Sequence, residues 1–316
     1  MKLKKKKIDS KGLFRVLPFA MICIVTGIVN PVFFSWTNIV DLLRSTSFLL
    51  IVGVGVTFVL LGASLDMSVG SVMGLSGAIC GLCLVNGVPV IVSVIAGLAA
   101  AALVGVLNSI MIIEFEIPAL IATLGTMYVA RGTVNVLTKG EPYYPLPDAF
   151  KRLGQGTIGS IPYSVFIALA IVLLAHFIVR KTHYGRSLMA VGGNKEAARL
   201  SGINTKAVLT ISHIAVSVLA GFVGILLASR LSSAQPNCGD GWEMTAVAAC
   251  IIGGTSMYGG YGSMLGTIVG CALMETLSNA MVLLRVSVYW QKIAIGLIMV
   301  VAVGIDTFRL KKTSGK

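Results

Sequence analysis

The chain has 316 residues, 56% of them hydrophobic and only 12% charged, with a mean hydropathy of +0.92. Soluble domains carry about 25% charged residues, so a water-soluble globule is excluded, and long apolar runs in place of short alternating ones exclude a β-barrel. The net charge of +13 forms no basic face with interleaved aromatics, which excludes a nucleic-acid partner.

In chain order, residues 1–15 (MKLKKKKIDSKGLFR) hold seven Lys and Arg and form a basic N-terminal segment. The apolar run 16–34 is too long for a signal-peptide core and lacks a small-residue exit, so a retained membrane span is expected there. Further spans are expected at 45–62, 69–86, 88–113, 118–138, 162–180, 207–229, 244–258, 264–284 and 289–306. The fold class is therefore all-α: one polytopic membrane domain over 16–306, of about ten helices. Basic residues gather at 1–15, in the loop 180–206 and in the tail 307–316, which together hold seventeen of the 25 Lys and Arg. Cytoplasmic segments are enriched in such residues, so both termini and the 180–206 loop are assigned to the cytoplasm. Anionic membrane lipids suit the same edges. Residues 139–161 and 230–243 then lie outside. Both are rich in Pro, Gly, Asp and aromatics, as ordered loops are, and serve either as a docking surface or as plain connectors.

Two Gly-rich segments interrupt the spans. Residues 62–74 (GASLDMSVGSVMG) carry Asp66 with Ser64, Ser68 and Ser71, and 253–266 (GGTSMYGGYGSMLG) repeat the design. A second echo joins GVLNSIMII (105–113) to ETLSNAMVLL (275–284). Broken helices within internal repeats mark substrate paths in transporters, although small residues also recur wherever membrane helices pack closely. Neither break is a phosphate cradle, and no GxxxxGK(S/T) P-loop occurs, so neither ATP nor another cofactor is expected on this chain.

Acids inside a membrane are costly and point to function. Asp66 is read either as pathway or as a helix cap; Glu275 is read as pathway, proton relay or partner of a cation. Asn108, Thr123 and Asn279 either bond a polar solute or hold helices together. Ser64, Asp66, Ser68, Asn108, Thr123, Glu275 and Asn279 are therefore the pathway candidates. Arg131 is expected to snorkel to the outer interface. His176, His183 and His213 stand alone, without metal-binding spacing, and the Cys80–Cys83 pair lacks a second pair. With no G-x-S-x-G elbow either, an enzyme is not expected.

Within the 180–206 loop lies GGNKEAARLSGIN (192–204). Gly192, Gly193 and Asn194 offer a turn and an N-cap, 196–203 reads as a two-turn amphipathic helix with Ala197, Leu200 and Ile203 on one stripe, and Gly202 can end it. So short a helix is unstable alone in water. Something must pack on it.

Four stretches together resemble one family: LGASLDMSVGSVMGLSGA (61–78), IPALIATLGTMYVARG (117–132), GRSLMAVGGNKEAARLSGIN (185–204) and IIGGTSMYGGYGSMLGTIVG (251–270). They look like the permease subunits of bacterial sugar ABC importers, of the ribose/xylose/arabinose type, in the branched binding-protein-dependent permease family. The resemblance implies a subunit of the bacterial plasma (inner) membrane that imports a monosaccharide by alternating access. Its implied partners are two cytoplasmic ATPase subunits holding ATP and Mg, an external sugar-binding protein, and a second permease copy or sister permease. It also implies an ATPase-coupling role for Gly193, Asn194, Glu196, Ala197, Ala198 and Gly202. Two departures stand out. Glu275 replaces an expected small residue, and the first break reads Ala63-Ser64-Leu65-Asp66-Met67-Ser68 where the family more often has G-I-D-L-S. The alternatives are an ion-coupled secondary transporter using Asp66 and Glu275, and a non-transporting scaffold.

Overall fold

A computed structural model describes residues 10–314, with side chains described over 20–304 and at Thr307. The expected basic segment 1–15 and tail 307–316 therefore lie partly outside the described residues. The elements in order are α1 (Ser10–Val29), a 3-10 turn (Pro31–Phe34), α2 (Trp36–Leu61), α3 (Val69–Val85), α4 (Val90–Ile113), α5 (Ala119–Thr138), α6 (Asp148–Gln155), β1 (Thr157–Ile158), β2 (Ile161–Pro162), α7 (Tyr163–Lys181), α8 (His183–Gly193), α9 (Lys195–Leu200), α10 (Thr205–Leu231), α11 (Trp242–Ile252), α12 (Met264–Leu283) and α13 (Val288–Ser314). Six of these helices, α2, α4, α5, α7, α10 and α12, are long and apolar enough to cross a membrane. Shorter apolar helices occupy Ala20–Val29, Val69–Val85, Trp242–Ile252 and Val288–Gly304, on the remaining expected spans. The chain is an all-α polytopic membrane protein.

Boundaries moved where local caps overrode hydropathy. The Ser35 hydroxyl accepts the Asn38 amide at 3.3 Å, so α2 starts at Trp36 and includes the polar turns around Asp41 and Arg44, ahead of the expected start at 45. The expected span 244–258 shrinks to α11, whose eleven residues rise only about 16 Å. That is too short for the apolar thickness of a bilayer, and 253–263 continue as turns folded against protein. Helix α13 runs on to Ser314, through the start of the expected tail.

Helix α10 is the centre of the bundle and packs against α2, α3 and α4, while α12 packs against α1, α2 and α11. The contacts are close because small residues face one another: a methyl group built on Gly224 of α10 would overlap the Met73 carbonyl of α3. Helix α2 is buried without interruption from Ser47 to Leu61, as expected for a helix surrounded by others. At one end a second apolar cluster, including Cys80, Leu146, Phe150 and Ile225, sits beneath α6.

The two segments assigned to the outside fold into one cap. Residues 139–161, read as a loop, contain α6 and a β1–β2 hairpin with Ile158 opposite Ile161. Tyr143 and Ala234 exchange main-chain hydrogen bonds of 3.2 and 3.1 Å. Ser229 Oγ donates to the Phe150 carbonyl at 2.6 Å and accepts the Gly154 amide at 2.7 Å.

Candidate functional site

Five of the seven pathway candidates converge on one buried polar node. After α2 ends at Leu61, residues 62–68 run non-helically between α4, α5 and α10. Asp66 Oδ1 accepts the Ser68 amide (2.9 Å) and hydroxyl (2.5 Å). Asn108 Nδ2 of α4 donates to Asp66 Oδ2 at 3.2 Å and to Ser68 Oγ at 3.0 Å. The Thr123 hydroxyl of α5 accepts the Met67 amide at 3.1 Å, and Thr126 donates to Asn108 Oδ1 at 2.7 Å. Non-helical backbone at membrane depth must be lined by protein, and these side chains line it.

His213 of α10, read from the sequence as isolated, closes the node. Its Nδ1 stands 3.3 Å from Asp66 Oδ2 and its Nε2 3.0 Å from Ser64 Oγ. Asp66 is 3% exposed and His213 not at all. A sequence signal existed, because His213 lies on the stripe of α10 shared by Leu209, Val216, Ser217 and Ala220, all buried. A polar residue on the inward stripe of a span is a functional candidate by default. Thr126 was missed for the same reason.

Glu275 and Asn279, both on α12, do not join the node. Asn279 exchanges two amide hydrogen bonds with Asn38 of α2, at 2.8 and 3.1 Å. Glu275 interacts electrostatically with Arg230, which lies 3.9 Å from Asp41 and 5.8 Å from the Phe48 ring centroid. Asp66 and Glu275 share no partner, so they form no joint relay. The two sequence echoes also disagree in register. GVLNSIMII lies in α4, two helices after the first break begins its turn into α3, whereas ETLSNAMVLL lies in α12, directly after the second.

Arg131 reaches the segment assigned to the outside but is held there by protein, not left at the membrane interface. Its guanidinium donates to the carbonyls of Pro236 (2.8 Å), Cys238 (2.9 Å) and Gly70 (3.2 Å). The irregular segment before α11 leaves carbonyls without helical partners, and a fork of fixed donors satisfies them. Among the described residues, no group of three or more His, Cys, Asp and Glu gathers to hold a metal.

At the end away from the α6 cap, α8 and α9 follow each other with only Asn194 between them. Asn194 caps α9 by accepting the Ala197 amide at 2.9 Å, as its residue type predicts. Gly192 and Gly193 are helical in α8, where a turn was expected. Gly202 (φ +82) ends the motif, its amide bonded to the Arg199 carbonyl at 3.0 Å. The helix is shorter than the two turns expected; Lys195, Glu196 and Arg199 face solvent, and the apolar stripe of Ala197 and Leu200 is exposed with them. Ala198 is buried, while Ala197 is exposed and Leu200 is 76% exposed. Glu196 and Arg199 form an ion pair beside them. Lys206 and Glu114, 2.7 Å apart, tie the segment to the α4–α5 turn. Between that turn, the first break and the α8–α9 corner lies a cavity of about 410 Å³, lined by Gly62, Ser64, Ile117, Pro118, Gly193 and Lys195 among others.

A family profile described as branched-chain amino acid transport system / permease component matches residues 38–303. The chain belongs to that permease family. It is 38% identical to the ribose import permease protein RbsC of Haemophilus influenzae, over 90% of this chain and 89% of the relative. It is 36% identical to the ribose import permease protein RbsC of Bacillus subtilis, over 97% of each. The L-arabinose ABC transporter permease protein AraH of Azospirillum brasilense is 31% identical, over 96% of this chain and 88% of its own. No solved structure matches the permease. The match runs from within the first turn of α2 to residue 303 of α13, so both Gly-rich breaks, the node and the α8–α9 corner lie inside it.

Proposed function

We propose that this permease is the membrane subunit of an ATP-driven importer of a monosaccharide, a ribose-like pentose or a related sugar, in the bacterial inner membrane. The relatives are named for ribose, allose, xylose and arabinose transport. Sugars carry hydroxyl groups and no charge, so a path for them needs amide and hydroxyl partners, which the breaks and their neighbours supply. Two cytoplasmic ATPase subunits carry ATP and Mg, and a separate sugar-binding protein docks on the α6 cap. The basic segments face the cytoplasm and anionic lipid headgroups there. A second permease copy completes the path.

The observation that carries the coupling reading is α9 itself. It is capped by Asn194 and stopped by Gly202, yet it presents Ala197 and Leu200 to solvent at the end of the bundle where the first break begins. An exposed leucine and alanine rimmed by an ion pair form an apolar spot with a polar rim, the arrangement that a partner surface covers. Gly193, Asn194, Glu196, Ala197, Ala198 and Gly202 shape and present it. Co-purification of the permease with a panel of importer ATPases tests this. Leu200→Asp and Gly193→Trp should each weaken capture at least about tenfold with unchanged thermal stability, since Leu200 is exposed and a methyl group at Gly193 points into open space. Undiminished capture by both variants, or no capture by the native chain, sinks the coupling role.

A further inference from the structure

Directly beneath the exposed α9, three chain segments meet through main-chain atoms. The Leu61 carbonyl at the end of α2 accepts the Gly260 amide of the second break at 3.0 Å. A methyl group built on Gly192, in the last turn of α8, would overlap that same carbonyl oxygen and stand 2.6 Å from the Gly260 nitrogen. One built on Gly259 would stand 2.6 Å from both the Ala63 methyl and the Gly192 carbonyl oxygen, and one on Gly260 2.9 Å from Gly193 Cα. Carbon atoms of real side chains essentially never come that close, so only glycine allows the contact. The main chain is left-handed at Ala63 (φ +56), Gly259 (+84) and Gly260 (+73), where both breaks reverse direction.

Contacts between close-packed main chains have no flexible side chain to absorb a displacement. Because only Asn194 separates α8 from α9, moving α9 moves Gly192 and Gly193. Gly192 presses on the first break and Gly260 on the same Leu61 carbonyl, so neither break can shift independently of α8. Past the first contact lies Ser64, held by His213 within the polar node. Past the second lies Ser263, whose hydroxyl caps α12 through the Gly266 amide. Among the other contacts of α8, Gly185 packs on the α7 main chain at Ile178 and Val179, whereas Tyr184 to Ser212 (2.9 Å) and Leu188 against Gly62 are made by side chains.

We propose that Gly192, Gly259 and Gly260 are positioning residues that transmit motion of α9 to both Gly-rich breaks at once by main-chain contact; this rests on the coupling role proposed for α9. The test reconstitutes the full permease with its ATPase and sugar-binding protein in proteoliposomes, with labelled ribose as the probe. ATPase capture, ATP hydrolysis and ribose uptake are measured on the same preparations. Gly192→Ala and Gly259→Ala should capture ATPase as the native chain does, while ribose uptake per ATP hydrolysed falls at least tenfold. Gly260→Ala, with its single milder clash, serves where Gly192→Ala does not fold, and should give a smaller fall in the same ratio. Gly296→Ala, on a face of α13 where an added methyl meets nothing, should leave the ratio unchanged.

An uptake-to-hydrolysis ratio within twofold of native in folded Gly192→Ala and Gly260→Ala overturns the proposal. Loss of ATPase capture in these variants overturns it too, because the glycines would then only shape α9. If the native chain captures no ATPase, the coupling reading itself fails and takes this inference with it, a result distinct from uncoupling with capture intact.

Discussion

Asp66 and His213 sit where bilayer and protein exclude water, and each survives burial only through the other's neighbours. Removing one of the two leaves the other's buried polar atoms short of a hydrogen-bond partner, at a cost of about 1–3 kcal/mol. His213→Ala should therefore lower the unfolding free energy of the purified permease by an amount in that range, seen as a lower thermal midpoint. In Asp66→Asn the amide still accepts from Ser68, so its cost should be smaller. A double-mutant cycle should give a coupling energy above about 1 kcal/mol; strict additivity would show that the pair contributes no joint stability. Arg131→Ala should act elsewhere, freeing three carbonyls at once. Hydrogen exchange in 236–241 should then rise while exchange in α8 and α9 stays unchanged; parallel increases at both places would mean a global loss of fold. Asp66, Ser68, Asn108 and Thr123 were legible because each is a polar residue in an apolar run. Their assembly was not, since the Asp66–His213 contact spans 147 positions and no local spacing encodes it. Glu275 and Asn279 carried the same local signal as the others, and tertiary packing sent them to Arg230 and Asn38 instead.

Among the elements, α9 was read almost completely from its ends. Asn194 and Gly202 have roles fixed by residue chemistry, the one accepting an orphan amide and the other adopting a left-handed turn. Its facing was not readable, because a helix this short offers no periodicity long enough to choose a side. The choice falls to α8, which buries Ala198 and leaves Leu200 out. Asn194→Ala should weaken α9 by about 1 kcal/mol, seen as about fivefold faster amide exchange at Ala197. The Arg199 guanidinium holds the Glu196 carboxyl below its usual range. A carboxyl whose folded value is depressed adds stability above its ordinary range, and the gain is lost as pH falls through the folded value. Protection of α9 amides, measured against their intrinsic exchange rate at each pH, should thus be level from neutral pH down to about pH 5 and fall only below the usual carboxylate range. A fall that begins near pH 7 would mean that the Glu196–Arg199 pair is not what titrates. Helix α11 marks the opposite case: the Gly-rich segment from Gly253 signalled a break, yet the expected span ran on to 258, whereas the helix stops at Ile252 with Gly253 as its cap.

The whole molecule presents a face that lipid alone suits poorly. Helix α5 has the lowest hydropathy of the six long spans and is the least buried of them, packing mainly against α3 and α4. Along its exposed side Ile121, Gly125, Tyr128, Gly132 and Asn135 recur at alternating spacings of four and three. That is the period of a helix–helix seam, and methyl groups at Gly125 and Gly132 would meet nothing within 4 Å. Small residues on a membrane helix let a partner backbone approach, and an amide such as Asn135 facing hydrocarbon is costly without a partner. The basic clusters are the sequence's argument for which segments face the cytoplasm, but composition could not say which helix faces a neighbour. A second permease copy packed on α5 meets both requirements. Gly132→Trp should block that approach and convert paired permease to single copies, counted by photobleaching of labelled chains in nanodiscs, with the thermal midpoint of each chain unchanged. Gly296→Trp on α13 should leave the pairs intact. Pairs that persist in Gly132→Trp would place the contact on another helix and leave the α5 stripe to line the sugar path.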